Sequence, residues 1–229
     1  MTPKPRIKKT LSGNWFLKCL YRFQFAVSSK RDLHGFRVGI FAPSDSEVQN
    51  GIFATIESAM KLIADVSPVC YARIRREFRG FLVNGIKGAR AYNACWNRTL
   101  ETCELDIGYM CSEDATLADV ATTIIHEATH AHLFHKGIDY NESRRARVER
   151  ACFRAQIRFA KRLPDGKQIV DSVIGNMQRE QSYWTNDALI QREADAFVKA
   201  GCSRRLVQVI LAIGKWRAAR RHDTKTGTS

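Results

Sequence analysis

The chain has no C-x-x-C pair. Its seven cysteines, at positions 19, 70, 95, 103, 111, 152 and 202, are scattered and odd in number. That argues against a disulfide framework and against a structural zinc site built on cysteines, and it predicts a reducing, cytoplasmic setting. Long apolar runs are missing as well. The stretch from Trp15 to Val27 is too short to span a bilayer, is interrupted by Lys18 and Arg22, and has no small-residue cleavage site after it. There are no repeats, no low-complexity linker, and no DNA- or RNA-binding motif with interleaved aromatics. Gln191 to Val209 has the outline of a helix-turn-helix with Gly201-Cys202-Ser203 at the turn, but Phe197 stands where that motif needs a small residue. Two helices closing a domain is the better reading.

What is present fits one compact domain. The chain has 229 residues, 45% hydrophobic and 26% charged, which are globular values. Its net charge of +14 is spread unevenly. Residues 1–31 hold eight basic residues and no acid, and read as a basic arm with a helix docked on the domain or lying on an anionic membrane surface. Residues 32–221 form the domain, and residues 222–229 a disordered tail. Residues 101–119 run the other way, with six acids and no base.

The acidic stretch leads into His126-Glu127-Ala128-Thr129-His130, an H-E-x-x-H pentapeptide. On a helix, residues four apart project side by side, so His126 and His130 can share one metal ion. Glu127 lies about 100° around the same turn, where its carboxylate can take a proton from a metal-activated water. Chance alone would place such a pentapeptide in roughly one chain of this size in a hundred, so context decides. Thr116 and Asp119 form a capping-box-like start. Leu117, Val120, Ile124, Ala128 and Ala131 make an apolar back, while Asp119, Thr122, Thr123, His126 and His130 gather opposite. No Lys or Arg occurs between Thr99 and His135 to repel a cation.

A catalytic zinc needs a third protein ligand. His132 and His135 lie far around the helix from the first pair, and the position six past His130 is Lys136. Gly137 stops the helix, and Asn141 caps a second one running from Glu142 to Leu163, closed by Pro164 and Gly166. Arg144, Arg147, Arg154, Arg158 and Arg162 form its solvated face. Glu149 sits mid-helix on the apolar side, where a carboxylate is costly unless a metal or a cation pairs with it. An arginine partner is the competing explanation. Glu142, in the first turn, and Asp139, in the loop, are weaker candidates.

With these residues the chain resembles the zincin superfamily, its gluzincin branch in particular, and is distantly similar to the ImmA/IrrE peptidases among small bacterial metallopeptidase-like proteins. The resemblance covers about 101–163 and rests on Thr123 to Ala131 with Glu149 nineteen residues beyond His130. It departs at His132, where zincins carry an apolar residue, and at Phe153, where a thermolysin-type second motif has Asp. It implies Zn2+ held by His126, His130 and Glu149, and peptide-bond hydrolysis with Glu127 as general base. Tyr140 and Tyr183 are both candidates to stabilise the oxyanion.

The remaining pattern is α+β, and the resemblance makes it a minimal zincin-like domain with a small mixed sheet and a helical C-terminal part. Phe36 to Phe41 and Phe81 to Val83 read as strands, and Glu47 to Val66 as a helix with Ile52, Ile56, Ala59 and Ile63 on one stripe. Ala91 to Trp96 and Thr102 to Tyr109 read as a hairpin. In the latter, Cys103, Leu105, Ile107 and Tyr109 alternate with Glu104, Asp106 and Gly108, a half-buried pattern. Zincins lay extended substrate along an edge strand beside the active helix, which implies that role for this strand. Its acids predict a preference for basic or neutral protein segments, unless they only solvate an edge. The alternative function is a basic module binding nucleic acid or membrane, with a degenerate or structural zinc site.

Overall fold

The computed structural model describes residues 15–41, 45–85 and 92–209. The first half of the basic arm, Ala91 and the tail expected at 222–229 lie outside them. Helix α1 (Trp15–Val27) is the expected arm helix. A Cβ on Gly39 would meet the Phe25 ring at 3.2 Å, so α1 lies directly against the strand that carries Gly39. β1 (Ser29–Leu33), which spans the end of the arm, is part of the sheet.

The fold is mixed α+β. β1 and β2 (Phe36–Phe41) form a hairpin whose two-residue turn, His34-Gly35, has positive φ at both positions, as the strand twist requires. Helices α2 (Ser46–Val66) and α3 (Pro68–Glu77) then carry the chain over to β3 (Gly80–Asn84), which pairs parallel to β2. β4 (Ala94–Asn97) and β5 (Thr102–Asp106) form the expected hairpin, with β5 parallel to β3. The order is β1-β2-β3-β5-β4. Ile52, Ile56, Ala59 and Ile63 are all buried, and Phe81 packs edge-to-face on Phe36 and Phe78.

One expectation fails here. The strand proposed as a half-buried edge is β5, and β5 lies inside the sheet with every residue buried. It also ends at Asp106, whose side chain caps the short helix α4 (Ile107–Met110). Alternation misleads because Glu104 is not solvated. Asn97 and Asn84 donate to its two oxygens, and a carboxylate so paired tolerates burial. Among the described residues, the terminal strand beside the helix that carries the pentapeptide is β4.

Helix α5 (Leu117–His135) carries the pentapeptide. Its capping box is real: Asp119 N–H donates to Thr116 Oγ1 at 3.1 Å and Thr116 N–H to Asp119 Oδ2 at 3.0 Å. Val120, Ile124, Ala128 and Ala131 are buried as expected, but Leu117 at the first turn is exposed. Gly137, at φ +80°, ends the helix. Asn141 caps α6 (Glu142–Ala160), which stops one turn before Leu163. Helix α7 (Gly166–Met177), a 3₁₀ turn (Gln181–Trp184) and α8 (Asn186–Lys199) follow, and another helical stretch begins at Arg204 after the Gly201 turn. At the α6–α7 corner a Cβ on Gly166 would sit 1.8 Å from the Ala160 carbonyl oxygen. Gly166→Ala must therefore open that corner and is expected to cost about 2–3 kcal/mol, read as a lower denaturant midpoint at unchanged m-value. Among the described residues, no helix is long and apolar enough to cross a membrane.

Candidate metal centre and cleft

Helices α5 and α6 pack closely, and their contact brings three donors together. His126 Nε2 and His130 Nε2 are 3.1 Å apart. From α6, Glu149 places Oε2 3.2 Å from His126 Nε2 and Oε1 3.5 Å from His130 Nε2. The three side chains are only 12, 14 and 9% exposed. The ring of Phe153 lies 4.9 Å from that of His126, and Tyr140 stands edge-on to His130.

Hydrogen bonds behind the cluster decide which way His126 points its lone pair. Thr122 Oγ1–H donates to the Asp119 carbonyl at 3.0 Å, which leaves the hydroxyl oxygen as an acceptor. Gln156 must therefore offer its Nε2–H to Thr122, at 3.4 Å, and its Oε1 to His126 Nδ1, at 3.3 Å. Nδ1 then carries the hydrogen, and Nε2 presents a lone pair to His130 and Glu149. Gln156→Leu removes that acceptor and is expected to weaken metal binding roughly 10–100-fold without unfolding the chain, measured by competition with a chromogenic chelator.

The electrostatics agree. Burial raises the Glu149 pKa, but the His126 and His130 rings beside it overcome that and hold the carboxyl well below the usual range. Burial disfavours the His130 imidazolium, yet the Cys152 sulfur and Glu149 outweigh it and raise that pKa well above the usual histidine value. The cluster favours positive charge at its centre. Tyr140 donates its hydroxyl to Glu149 Oε1, and burial together with that carboxylate keeps the phenol protonated. Glu149 thus has two histidines and a tyrosine as partners, not the arginine of the competing explanation.

Glu127 stands apart. It is 7% exposed, it faces the cleft, and no described residue makes a hydrogen bond or ion pair with its side chain. A buried carboxylate without a partner is costly and concentrates at functional sites. The cleft itself measures about 1460 Å³ and runs from β4 past the histidines to α7 and α8. Trp96, Tyr109, Phe153 and Trp184 give it an aromatic lining. Tyr109 was not singled out by sequence; its hydroxyl lies 3.2 Å from Thr123 Oγ1, and burial pushes its pKa up to about 12.

Other candidates fall outside the cluster. His132 and His135 bond Glu77 through Nδ1 at 2.9 and 2.6 Å, on another side of α5. Burial raises the Glu77 pKa, but these histidines and Arg76 lower it overall. Glu142 accepts from Asn186 N and Nδ2, tying α6 to α8, and Asp139 is an exposed residue at the cleft rim. Tyr183 lies in the cleft wall between the guanidinium groups of Arg179 and Arg192. Sequence reasoning missed Cys152, whose sulfur lies within 4.8 Å of a nitrogen of each imidazole. The signal was available: Cys152 is one helical turn beyond Glu149 and Gln156 is two.

The acidic stretch is spent largely on structure. Glu104 and Asp106 are buried, Glu101 pairs with Arg79, and Asp119 closes its capping box. Arg98, Arg179 and Arg192 line the cleft together with Asp114, Asp119, Asp139, Glu127, Glu149 and Glu193. The chain matches no family model, no curated protein and no solved structure.

Proposed function

We propose that the chain is a zinc-dependent peptidase of gluzincin type, with His126, His130 and Glu149 as ligands and Glu127 as general base. The convergence of the three donors supports this most directly. Two donors each about 2.0–2.1 Å from a tetrahedral zinc lie roughly 3.3–3.4 Å apart. The three separations here, 3.1, 3.2 and 3.5 Å, bracket that value. When bound, zinc would polarise the scissile carbonyl and acidify the attacking water. Glu127 accepts the water's proton as its oxygen adds to the carbonyl carbon, then delivers it to the amine nitrogen as the C–N bond breaks. Of the two tyrosines, Tyr140 is the one beside the cluster, and its hydroxyl, which donates to Glu149 Oε1, would have to turn from that carboxylate to donate to the developing oxyanion.

The size of the cleft favours an extended protein segment over a small metabolite, since ordinary small-molecule pockets hold about 300–1,000 Å³. β4, the terminal strand among the described residues, takes the substrate-pairing role expected of β5. The test is chelator-sensitive cleavage of a proteome-derived peptide library by zinc-loaded protein. Cleavage that survives chelation, or none from protein holding stoichiometric zinc, overturns the reading.

A second reading rests on the exposed Arg144, Arg147, Arg154 and Arg158 of α6, which suit an anionic surface. It calls for salt-dependent binding of DNA or anionic liposomes that His126→Ala leaves unchanged.

A further inference from the structure

We infer that Cys152 is a fourth protein donor to the same metal centre. The inference rests on the zinc reading above and adds to it a closed coordination shell. Three observations converge. Cys152 and Glu149 are three residues apart on α6 and therefore share the face turned toward α5. The Cys152 side chain is fully buried, in the same α5–α6 seam that holds both imidazoles. Its sulfur and one nitrogen of each histidine lie within 4.8 Å of one another. A thiolate about 2.3 Å and an imidazole about 2.0–2.1 Å from a tetrahedral zinc stand roughly 3.6 Å apart, so the sulfur need close on either imidazole by at most about 1.2 Å.

Charge favours the same arrangement. Two neutral imidazoles, one carboxylate and one thiolate leave a divalent zinc with no net charge, which suits a centre this deeply buried. Coordination costs the thiol its proton, which passes to solvent or to a nearby base, and involves no oxidant. The position that Cys152 takes is the one the attacking water needs. The thiolate therefore competes with that water and lowers the resting rate, and each turnover requires it to be displaced.

Cobalt(II) in place of zinc makes the donor visible. The wild-type protein should show tetrahedral visible bands together with a thiolate-to-cobalt charge-transfer band in the near ultraviolet. Cys152→Ser and Cys152→Ala should lose the charge-transfer band and keep the visible ones, whereas Cys103→Ser should keep both. Circular dichroism identifies a variant that has not folded. If both Cys152 variants fail that check, blocking of Cys152 alkylation by stoichiometric zinc in the wild-type protein carries the test, and unchanged alkylation overturns the proposal. Cleavage of the peptide library should rise at least severalfold in Cys152→Ala. Bound cobalt with visible bands and no charge-transfer band overturns the fourth donor while leaving the three-ligand site standing. Failure of cobalt to bind at all overturns both readings.

Discussion

Glu127→Gln is expected to retain zinc and lose cleavage by about 10²–10⁴-fold, the range that a positioned general base contributes. The amide keeps the shape of the side chain, and Glu127 makes no hydrogen bond or ion pair with a described residue that the substitution would break. It also stands outside the His126, His130 and Glu149 triangle, so the metal donors are untouched. What disappears is the acceptor for the water's proton. Zinc content by mass spectrometry and product formation from the peptide library are measured on the same preparation. Cleavage within tenfold of wild type, with zinc bound, would remove Glu127 from the mechanism.

His126→Ala should do the reverse and empty the site. Structural zinc sites bind with roughly 10–16 kcal/mol, so losing one of three or four donors costs about 3–4 kcal/mol, or two to three orders of magnitude in affinity. Glu149→Gln should behave similarly, because Glu149 supplies the negative charge that both imidazoles face. Zinc in thousandfold excess over its dissociation constant would stabilise the wild-type fold by about 4 kcal/mol, and this increment should nearly vanish in His126→Ala. A variant that keeps most of its zinc, or a wild-type melting temperature indifferent to zinc and chelator, would mean that these residues are not the ligands.

The α5 segment was open to reading because its signals are local. A helix places residues four apart side by side whatever surrounds it, so His126 and His130 follow from spacing alone. Thr116 and Asp119 satisfy each other within one turn, and Gly137 adopts a positive φ that other residues resist. Glu149 could be singled out by cost, since a carboxylate on an apolar face needs a partner. The identity of that partner could not be read, because it depends on how α6 docks against α5.

β5 shows the limit of the same reasoning. Alternation of polar and apolar residues reports a strand with two unlike faces, but it assumes that the polar face meets water. In this protein Asn84 and Asn97, brought in by β3 and β4, receive Glu104 inside the sheet, and β4 takes the edge. Strand order is a non-local choice among pairings that share one local pattern.

The sequence alone determined α2, α5 and α6, the capping residues Thr116, Gly137 and Asn141, the two histidines and the unlike faces of α5 and α6. Each of these depends on neighbours within one or two turns. Tertiary structure decided that Glu149 meets both imidazoles, that Gln156 orients His126, that Cys152 joins the group and that Glu77 takes His132 and His135. Those contacts join residues far apart in the chain, and only packing that buries apolar surface between helices and sheet fixes which polar groups must find each other.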